Sequence, residues 1–208
     1  MKKKLLGALL SVAMVASLLV GCGAQTTESA APAADSGEST EAAAPAAESN
    51  GKRVAVAMPT QSSERWINDG ANMKAKLEAL GYEVDLQYAE DDVQMQVSQI
   101  ENMITEGVDV LVIASIDGSS LGTVMSQAKE AGIPVIAYDR LIMDSDAVSY
   151  YATFDNYMVG TVQGQYIVDT LDLDNAAGPF NLEITAGDPG DNNAVYFFNG
   201  AYDVLKPY

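Results

Sequence analysis

The sequence predicts an α/β fold: a doubly wound lobe in which helices cover both faces of a parallel sheet, followed by the start of a second α/β lobe. From residue 52 onward, short apolar runs alternate with apolar stripes at helical spacing. Residues 110–113 are apolar throughout, which is typical of a strand buried on both faces. Glycine closes the first three stripes, at Gly81, Gly107 and Gly132, where helices commonly end. Strands alternating with helices of this length indicate parallel βαβ units.

The first two strand–helix units are predicted from their periods. Residues 54–58 form a short apolar strand that is closed by Pro59. Apolar residues then recur at steps of three and four, which predicts a helix. This stripe consists of Trp66, Ile67, Gly70, Met73, Leu77 and Leu80. Residues 82–88 alternate like a strand with one buried face, and a second helical stripe runs over residues 93–104.

The remaining elements continue the alternation. The first lobe is completed by a strand at residues 108–114, a helix at 121–131 and a strand at 134–138. After it, the patterns predict strands at residues 148–153 and 180–185 and helices at residues 157–171 and 193–206. Residues 148–156 are the candidate crossing between the two lobes.

Composition excludes several classes of function. The chain has 208 residues, a formal net charge of −18, one cysteine and no histidine. Such acidity argues against nucleic acid as a partner, because lysine and arginine dominate contacts with phosphate. Without histidine, a Ser/His/Asp or Cys/His catalytic mechanism is excluded. Neither G-x-G-x-x-G nor G-x-x-x-x-G-K-[ST] occurs, so no nucleotide cofactor is expected, and no metal or other cofactor either.

The N-terminus has the pattern of a secretory signal. Three lysines precede an apolar stretch at residues 5–20, which is shorter than a membrane-spanning helix needs. The following LVGC, ending at Cys22, resembles a bacterial lipoprotein box, in which the cysteine is lipidated; an ordinary signal peptide with an incidental cysteine is the alternative. Residues 1–22 are therefore the predicted signal. Residues 23–50 lack large apolar side chains and form a predicted disordered tether, with a span of about 30 Å.

Polar side chains follow the predicted strands where ligands bind in open parallel sheets, beyond the carboxyl ends. The fourth strand runs directly into Asp139 and Arg140, in the segment VIAYDR. The other strand ends lead to Arg65, Trp66, Asp117, Asp191 and Asn193. Carboxylates, guanidinium groups and amides suit sugar hydroxyls, which both donate and accept hydrogen bonds, and an indole suits the apolar face of a sugar ring.

Seven collinear motifs resemble a known family: SSERWINDG, LQYAEDD, QIENMI, VLVIASIDG, IPVIAYDRL, YYATFDN and GDPGDNNA. Together they are similar to the sugar-binding lipoproteins of ABC importers, with the type I periplasmic-binding-protein fold, and nearest to the xylose and multiple-monosaccharide binders. The resemblance extends over residues 52–208. It implies a two-lobed clamp, with the first lobe at residues 51–153 and a partial second lobe at residues 154–208. The chain is accordingly expected to be an N-terminal fragment that binds sugar weakly or not at all.

The resemblance also implies roles for the first-lobe residues. Asp139 and Arg140 would grip the ring hydroxyls and ring oxygen, with a surface ion pair as the alternative. Arg65 would supply a second guanidinium and Trp66 an aromatic wall. The alternatives are a solvated helix N-terminus for Arg65 and a core position for Trp66. Asp117 is a further candidate at the neighbouring strand end.

In the second lobe, Asn193 and Asp191 match a loop that contacts sugar. Asp191 alternatively caps the following helix, and Asn193 alternatively belongs to a turn. Tyr150, Tyr151 and Phe154 are interpreted as strand and hinge packing.

The implied function is capture without chemistry. The protein would be a monomeric, extracytoplasmic lipoprotein, anchored to the outer face of the membrane through Cys22. It would bind an aldopentose or aldohexose, xylose-like, and deliver it to an ABC permease; it is not expected to be an enzyme. Ala114 stands where some ribose-type relatives carry a polar contact, which weakens a ribose assignment. The alternatives are a sugar or autoinducer receptor for a membrane sensor, a sugar enzyme, and a repressor of the same fold.

Overall fold

The structure is a computed structural model that describes residues 49–208. The predicted signal peptide, Cys22 and nearly all of the tether therefore lie outside the described residues. Within the described part of the chain, no helix is long and apolar enough to cross a membrane.

Within residues 49–208, a single five-stranded parallel sheet organises the structure and confirms the predicted fold class. The strands are β1 (Arg53–Met58), β2 (Glu83–Tyr88), β3 (Val110–Ile113), β4 (Val135–Tyr138) and β5 (Val148–Ala152). Their order in the sheet is β2-β1-β3-β4-β5, and every neighbouring pair is parallel. The chain leaves β1 toward β2 and later returns to β3 on the other side. This reversal opens a crevice at the carboxyl ends of the strands.

In the described part of the chain, five helices accompany the sheet: α1 (Glu64–Ala79), α2 (Val93–Thr105), α3 (Gly122–Glu130), α4 (Asn156–Leu171) and α5 (Asn192–Leu205). One core lies where α2 and α3 cover the sheet, around Ile100, Met125 and Leu111. A second core lies under α1 on the opposite face, around Val56 and Trp66. Because β3 contributes side chains to both cores, its uninterrupted apolar run is explained.

The strand predicted at residues 180–185 does not form. Phe180, Leu182 and Ile184 are 49%, 52% and 41% exposed, and the segment is irregular. A strand is stabilised by pairing with a neighbour, and among residues 49–208 no strand lies beside this segment. The alternating pattern is therefore present without the partner that would make it a strand.

Helices α4 and α5 pack mainly against each other. Glycines make the approach close, since a Cβ on Gly160 would collide with the carbonyl oxygen of Phe197. A Cβ on Gly200 would likewise collide with the carbonyl oxygen of Tyr157. The first turn of α5 lies at the carboxyl edge of the sheet, where Asn193 contacts Asp139.

Candidate functional site

A cavity of about 210 Å³ lies at the carboxyl edge of the sheet. Its walls come from the start of α1, the end of β4, the corner after β5 and the loop entering α5. Six of the seven predicted site residues line it: Arg65, Trp66, Asp139, Arg140, Asp191 and Asn193. The structure thus brings together side chains that are far apart in sequence.

Asp139 is the buried acid of this cavity, with a side chain only 6% exposed. Arg65, in the first turn of α1, places its Nη2 2.5 Å from Asp139 Oδ1. The Nε of Arg65 also lies 3.4 Å from Asp69 Oδ2. Burial opposes the charge of Arg65, but the hydrogen bond and charge of Asp139 outweigh it, so the pKa of Arg65 is raised above its ordinary value.

Arg140 is held by neighbours from both sides of the cavity. Its Nη1 donates to the carbonyl oxygen of Ser115, at 3.1 Å. Its Nε lies 3.1 Å from Asp191 Oδ2, which forms an ion pair by distance. The Nε–H is not aligned with that oxygen, however, and has no hydrogen-bond acceptor among the described residues. This buried donor of the guanidinium therefore has an ion-pair partner but no aligned hydrogen bond.

Asn193 connects α5 to the acid. Its Nδ2 donates to the carbonyl oxygen of Asp139 at 3.1 Å and lies 3.4 Å from Asp139 Oδ2. Its Oδ1 is buried and accepts no hydrogen bond within residues 49–208. Asp191 caps α5 by accepting from the backbone N–H of Asn193 at 2.9 Å. Asp191 therefore serves as a helix cap while also lining the cavity.

Trp66 is both a core residue and a wall of the cavity. It is 6% exposed and packs in the core under α1. The guanidinium carbons of Arg65 and Arg140 lie 4.4 and 5.2 Å from its ring centroid, within the range of cation–π attraction. The two interpretations of Trp66 were thus not exclusive.

Two phenylalanines line the cavity without having been predicted there. Phe154 and Phe197 stack with their ring centroids 6.3 Å apart. The interpretation of Phe154 as hinge packing is therefore incomplete, because its ring also forms cavity wall. The sequence did carry a signal for Phe197, which lies one helical turn after Asn193 and hence on the same face of α5.

Asp117 does not reach this cavity. It lines a separate polar cavity of about 430 Å³, together with Ser119, Asp144 and Asn192. Its Oδ1 accepts from the backbone N–H and the hydroxyl of Ser119, at 2.8 and 2.7 Å. These two bonds lower the pKa of Asp117 below its ordinary value. Asp117 therefore orders the loop that leads into α3.

The cavity is suited to a neutral, hydroxyl-rich ligand. Two acids and two arginines face one another, so their charges largely compensate. The indole of Trp66 lines the cavity beside them and carries both guanidinium groups over its ring. Nowhere in residues 49–208 are three or more metal-ligating side chains grouped to hold an ion. The arrangement supports binding through hydrogen bonds.

Comparison with known proteins indicates the family to which the chain belongs. Residues 54–208 match the family model described as "Periplasmic binding protein domain". The chain is 58% identical over 155 residues to "Multiple sugar-binding periplasmic protein SbpA" of Azospirillum brasilense, covering 74% of this chain and 43% of that protein. It is 42% identical over 155 residues to the "D-xylose-binding periplasmic protein" of Escherichia coli, covering 74% of this chain and 45% of that one.

A solved structure agrees with these relatives. It is an ABC transporter solute binding protein from Clostridium phytofermentans with bound β-D-glucose, similar at a TM-score of 0.74 and 70% identity. The match covers 76% of this chain and 48% of that one. The chain thus spans less than half the length of these relatives. The family match runs from the second residue of β1 through all later strands, the cavity and both of the last helices. The chain belongs to the periplasmic binding protein family.

Proposed function

We propose that the protein binds a monosaccharide, an aldopentose or aldohexose, in the cavity between Trp66, Asp139 and Asn193. The observation that carries the proposal is a complementary pair of buried polar atoms beside the indole. Arg140 Nε is a donor whose ion pair with Asp191 lacks an aligned hydrogen bond. Asn193 Oδ1 is an acceptor that has no hydrogen-bond partner among the described residues. A buried polar group without a partner is costly. Sugar hydroxyls donate and accept, so one ring can satisfy both atoms.

The ligand class is supported by the relatives. Two of them are named for multiple sugars and for D-xylose, and the solved relative holds β-D-glucose. The apolar walls fit a pyranose ring, whose C–H faces can lie against Trp66 on one side and the Phe154–Phe197 pair on another.

Binding is proposed to proceed without a reaction. Residues 51–153 would form the lobe that first binds sugar, and residues 154–208 would begin the second lobe. Asp191 and Asn193 approach from the second part of the chain and contact Arg140 and Asp139. A sugar that also contacts these two residues favours the closed arrangement by the extra affinity that they supply. Excluding water strengthens each hydrogen bond and penalises a sugar that lacks a hydroxyl.

Export and delivery complete the proposal. The LVGC motif would direct lipidation of Cys22 and hold a monomer at the outer face of the membrane, on the tether at residues 23–50. An ABC permease would then accept the sugar, as the name of the solved relative suggests for that protein.

The test is a panel of aldoses, including D-glucose and D-xylose, measured by thermal shift and calorimetry on the full-length protein. At least one aldose is expected to raise the melting temperature and give saturable heat. Asp139→Asn removes the charge that orders Arg65 and is expected to abolish the shift while the protein stays folded. Asp109→Asn is a matched control, because Asp109 accepts a hydrogen bond from the backbone N–H of Arg53, outside the cavity.

Two outcomes would count against this function. If no aldose raised the melting temperature of the wild-type protein or gave saturable heat in calorimetry, the proposal of sugar binding would be wrong. If Asp139→Asn kept the full shift, the sugar would bind elsewhere and this cavity would be wrong.

A further inference from the structure

Asp139 and Arg140 are consecutive residues, yet both side chains line one cavity. Successive side chains of an extended strand point to opposite faces of the sheet, so an ordinary strand end would aim only one of them there. A turn at Asp139 allows both side chains to line the same cavity. Asp139 has a φ of +62°, and the N–H of Arg140 donates to the carbonyl oxygen of Tyr138 at 2.7 Å. This is a γ-turn with Asp139 at its centre.

Such a turn is unfavourable by itself. A positive φ is uncommon for residues other than glycine, although aspartate tolerates it better than most. Turns of this kind with a positive central φ are rare and strained. A residue stays in such a conformation only when its surroundings over-determine it. The contacts around the Asp139 peptide should therefore show what holds it.

The carbonyl oxygen of Asp139 accepts hydrogen bonds from three side chains. The hydroxyls of Tyr151 and Thr153, at the end of β5, lie 3.2 and 3.0 Å away, and Asn193 Nδ2 lies 3.1 Å away. The N–H of Asp139 donates to the carbonyl oxygen of Ala152, at 2.8 Å. Both ends of this one residue are thus fixed to the last residues of β5 and to Thr153, which follows it.

The hydroxyl of Thr153 is itself oriented. It accepts from Nδ2 of Asn156 at 3.3 Å, and Asn156 is a buried residue at the start of α4. Its proton is therefore directed toward the carbonyl oxygen of Asp139. Thr153 and Tyr151 are both exposed residues, so neither belongs to a hydrophobic core. Neither residue lines the cavity.

We infer that Thr153 and Tyr151 are positioning residues, whose hydroxyls hold the Asp139 turn and thereby aim the Asp139–Arg140 pair at the ligand. The inference rests on the proposed function, because the pair matters only if the cavity binds sugar. It assigns a binding role to two residues at the surface. It also connects the corner between β5 and α4 to the site, since Asn156 orients the Thr153 hydroxyl.

The experiment removes each hydroxyl in the full-length protein with little change of shape. Thr153→Val and Tyr151→Phe are each expected to weaken the binding of D-glucose or D-xylose about 10-fold, because one hydrogen bond to the turn is lost. Thr153→Ser restores the hydroxyl and is expected to bind within about twofold of wild type. Thr105→Val is the matched control, because that exposed threonine donates to the carbonyl oxygen of Glu101 in α2, outside the cavity.

The measurements are calorimetric affinity and the melting temperature of the ligand-free protein. A positioning role predicts lower affinity with the ligand-free melting temperature within about 3 °C of wild type. Equal affinity of wild type, Thr153→Val and Tyr151→Phe would overturn the inference and leave sugar binding intact. A fall in affinity that only accompanied a larger loss of melting temperature would assign a structural role and overturn it too. If the wild type bound none of the aldoses, the proposed function would fail first, and the inference with it.

Discussion

Two neighbouring strands of the sheet each lead to an acid, and the two acids end in different surroundings. Asp139 follows β4 directly, is buried, and pairs with Arg65 from α1, 74 positions away in sequence. Asp117 follows β3 by four positions, is partly exposed, and is bound by Ser119 two positions away. Both positions satisfied the same sequence rule, that polar residues at the carboxyl edge are candidates for ligand contact.

The difference lies in the sequence distance of the partner. An acid whose partners are two residues away orders its own loop, which needs no ligand. An acid whose partner comes from a distant helix requires the fold to bring a cation to a buried carboxylate, which is costly to bury unless it is well paired. Only the second arrangement produced a cavity with unfilled hydrogen-bonding groups. Removing the partner of each acid is therefore the sharpest way to test the comparison.

The largest effect is expected from Arg65→Met. It leaves the carboxylate of Asp139 buried without its cation, and truncating one partner of such a pair typically weakens binding about 30-fold or more. The corresponding change at the other acid, Ser119→Ala, should alter aldose affinity by less than about twofold. Calorimetric titration of both variants gives the comparison directly.

Arg65→Lys keeps the positive charge but loses the planar fork of donors. It should bind between wild type and Arg65→Met. Equal losses of aldose affinity for Arg65→Met and Ser119→Ala would show that the two acids are equivalent in ligand binding.

The sheet was predictable because its signals are local. The period of the apolar residues and the glycines at the helix ends depend only on neighbouring positions, and each stop glycine indeed adopts a positive φ, at Gly81, Gly107 and Gly132. The prediction of a strand at residues 180–185 was wrong for a related reason. Alternation shows that a segment is compatible with a sheet, but pairing depends on a partner that the pattern does not contain.

Most of the predicted candidate residues line one cavity, but the geometry of that cavity could not be predicted from the sequence. The rule that ligands bind at the carboxyl edge, together with the family resemblance, selected six residues that share the cavity. The turn at Asp139, with its positive φ, has no periodic signal in the sequence. Tyr151 and Thr153, whose hydroxyls donate hydrogen bonds to that turn, matched only the pattern of a strand. Phe154 was missed because an exposed aromatic at a strand end has no distinctive neighbour in sequence.

A smaller effect, on stability, is expected from Gly118→Ala in the loop of Asp117. A Cβ there would collide with the carbonyl oxygen of Leu141 and lie 3.2 Å from Nδ2 of Asn192. Overpacking of this kind should lower the free energy of unfolding by about 1–3 kcal/mol. Gly122→Ala is the matched control, because a Cβ at that position meets no atom within 4 Å. Urea denaturation measures the stability of both variants. An unchanged midpoint for Gly118→Ala would show that the loop accommodates the added methyl group without a loss of stability.

The smallest effect is the pH dependence contributed by Asp117. The hydrogen bonds from Ser119 lower its pKa in the folded protein, so the unfolded state binds its proton more readily. The resulting stabilisation is fully present above the unfolded pKa of about 3.9 and is lost as the pH falls through the lower folded pKa. Asp117→Asn should therefore reduce the free energy of unfolding near pH 7, and the difference from wild type should shrink as the pH falls below about 4. Urea denaturation across this range measures it, and a difference that stayed constant with pH would mean that charge is not what Ser119 stabilises.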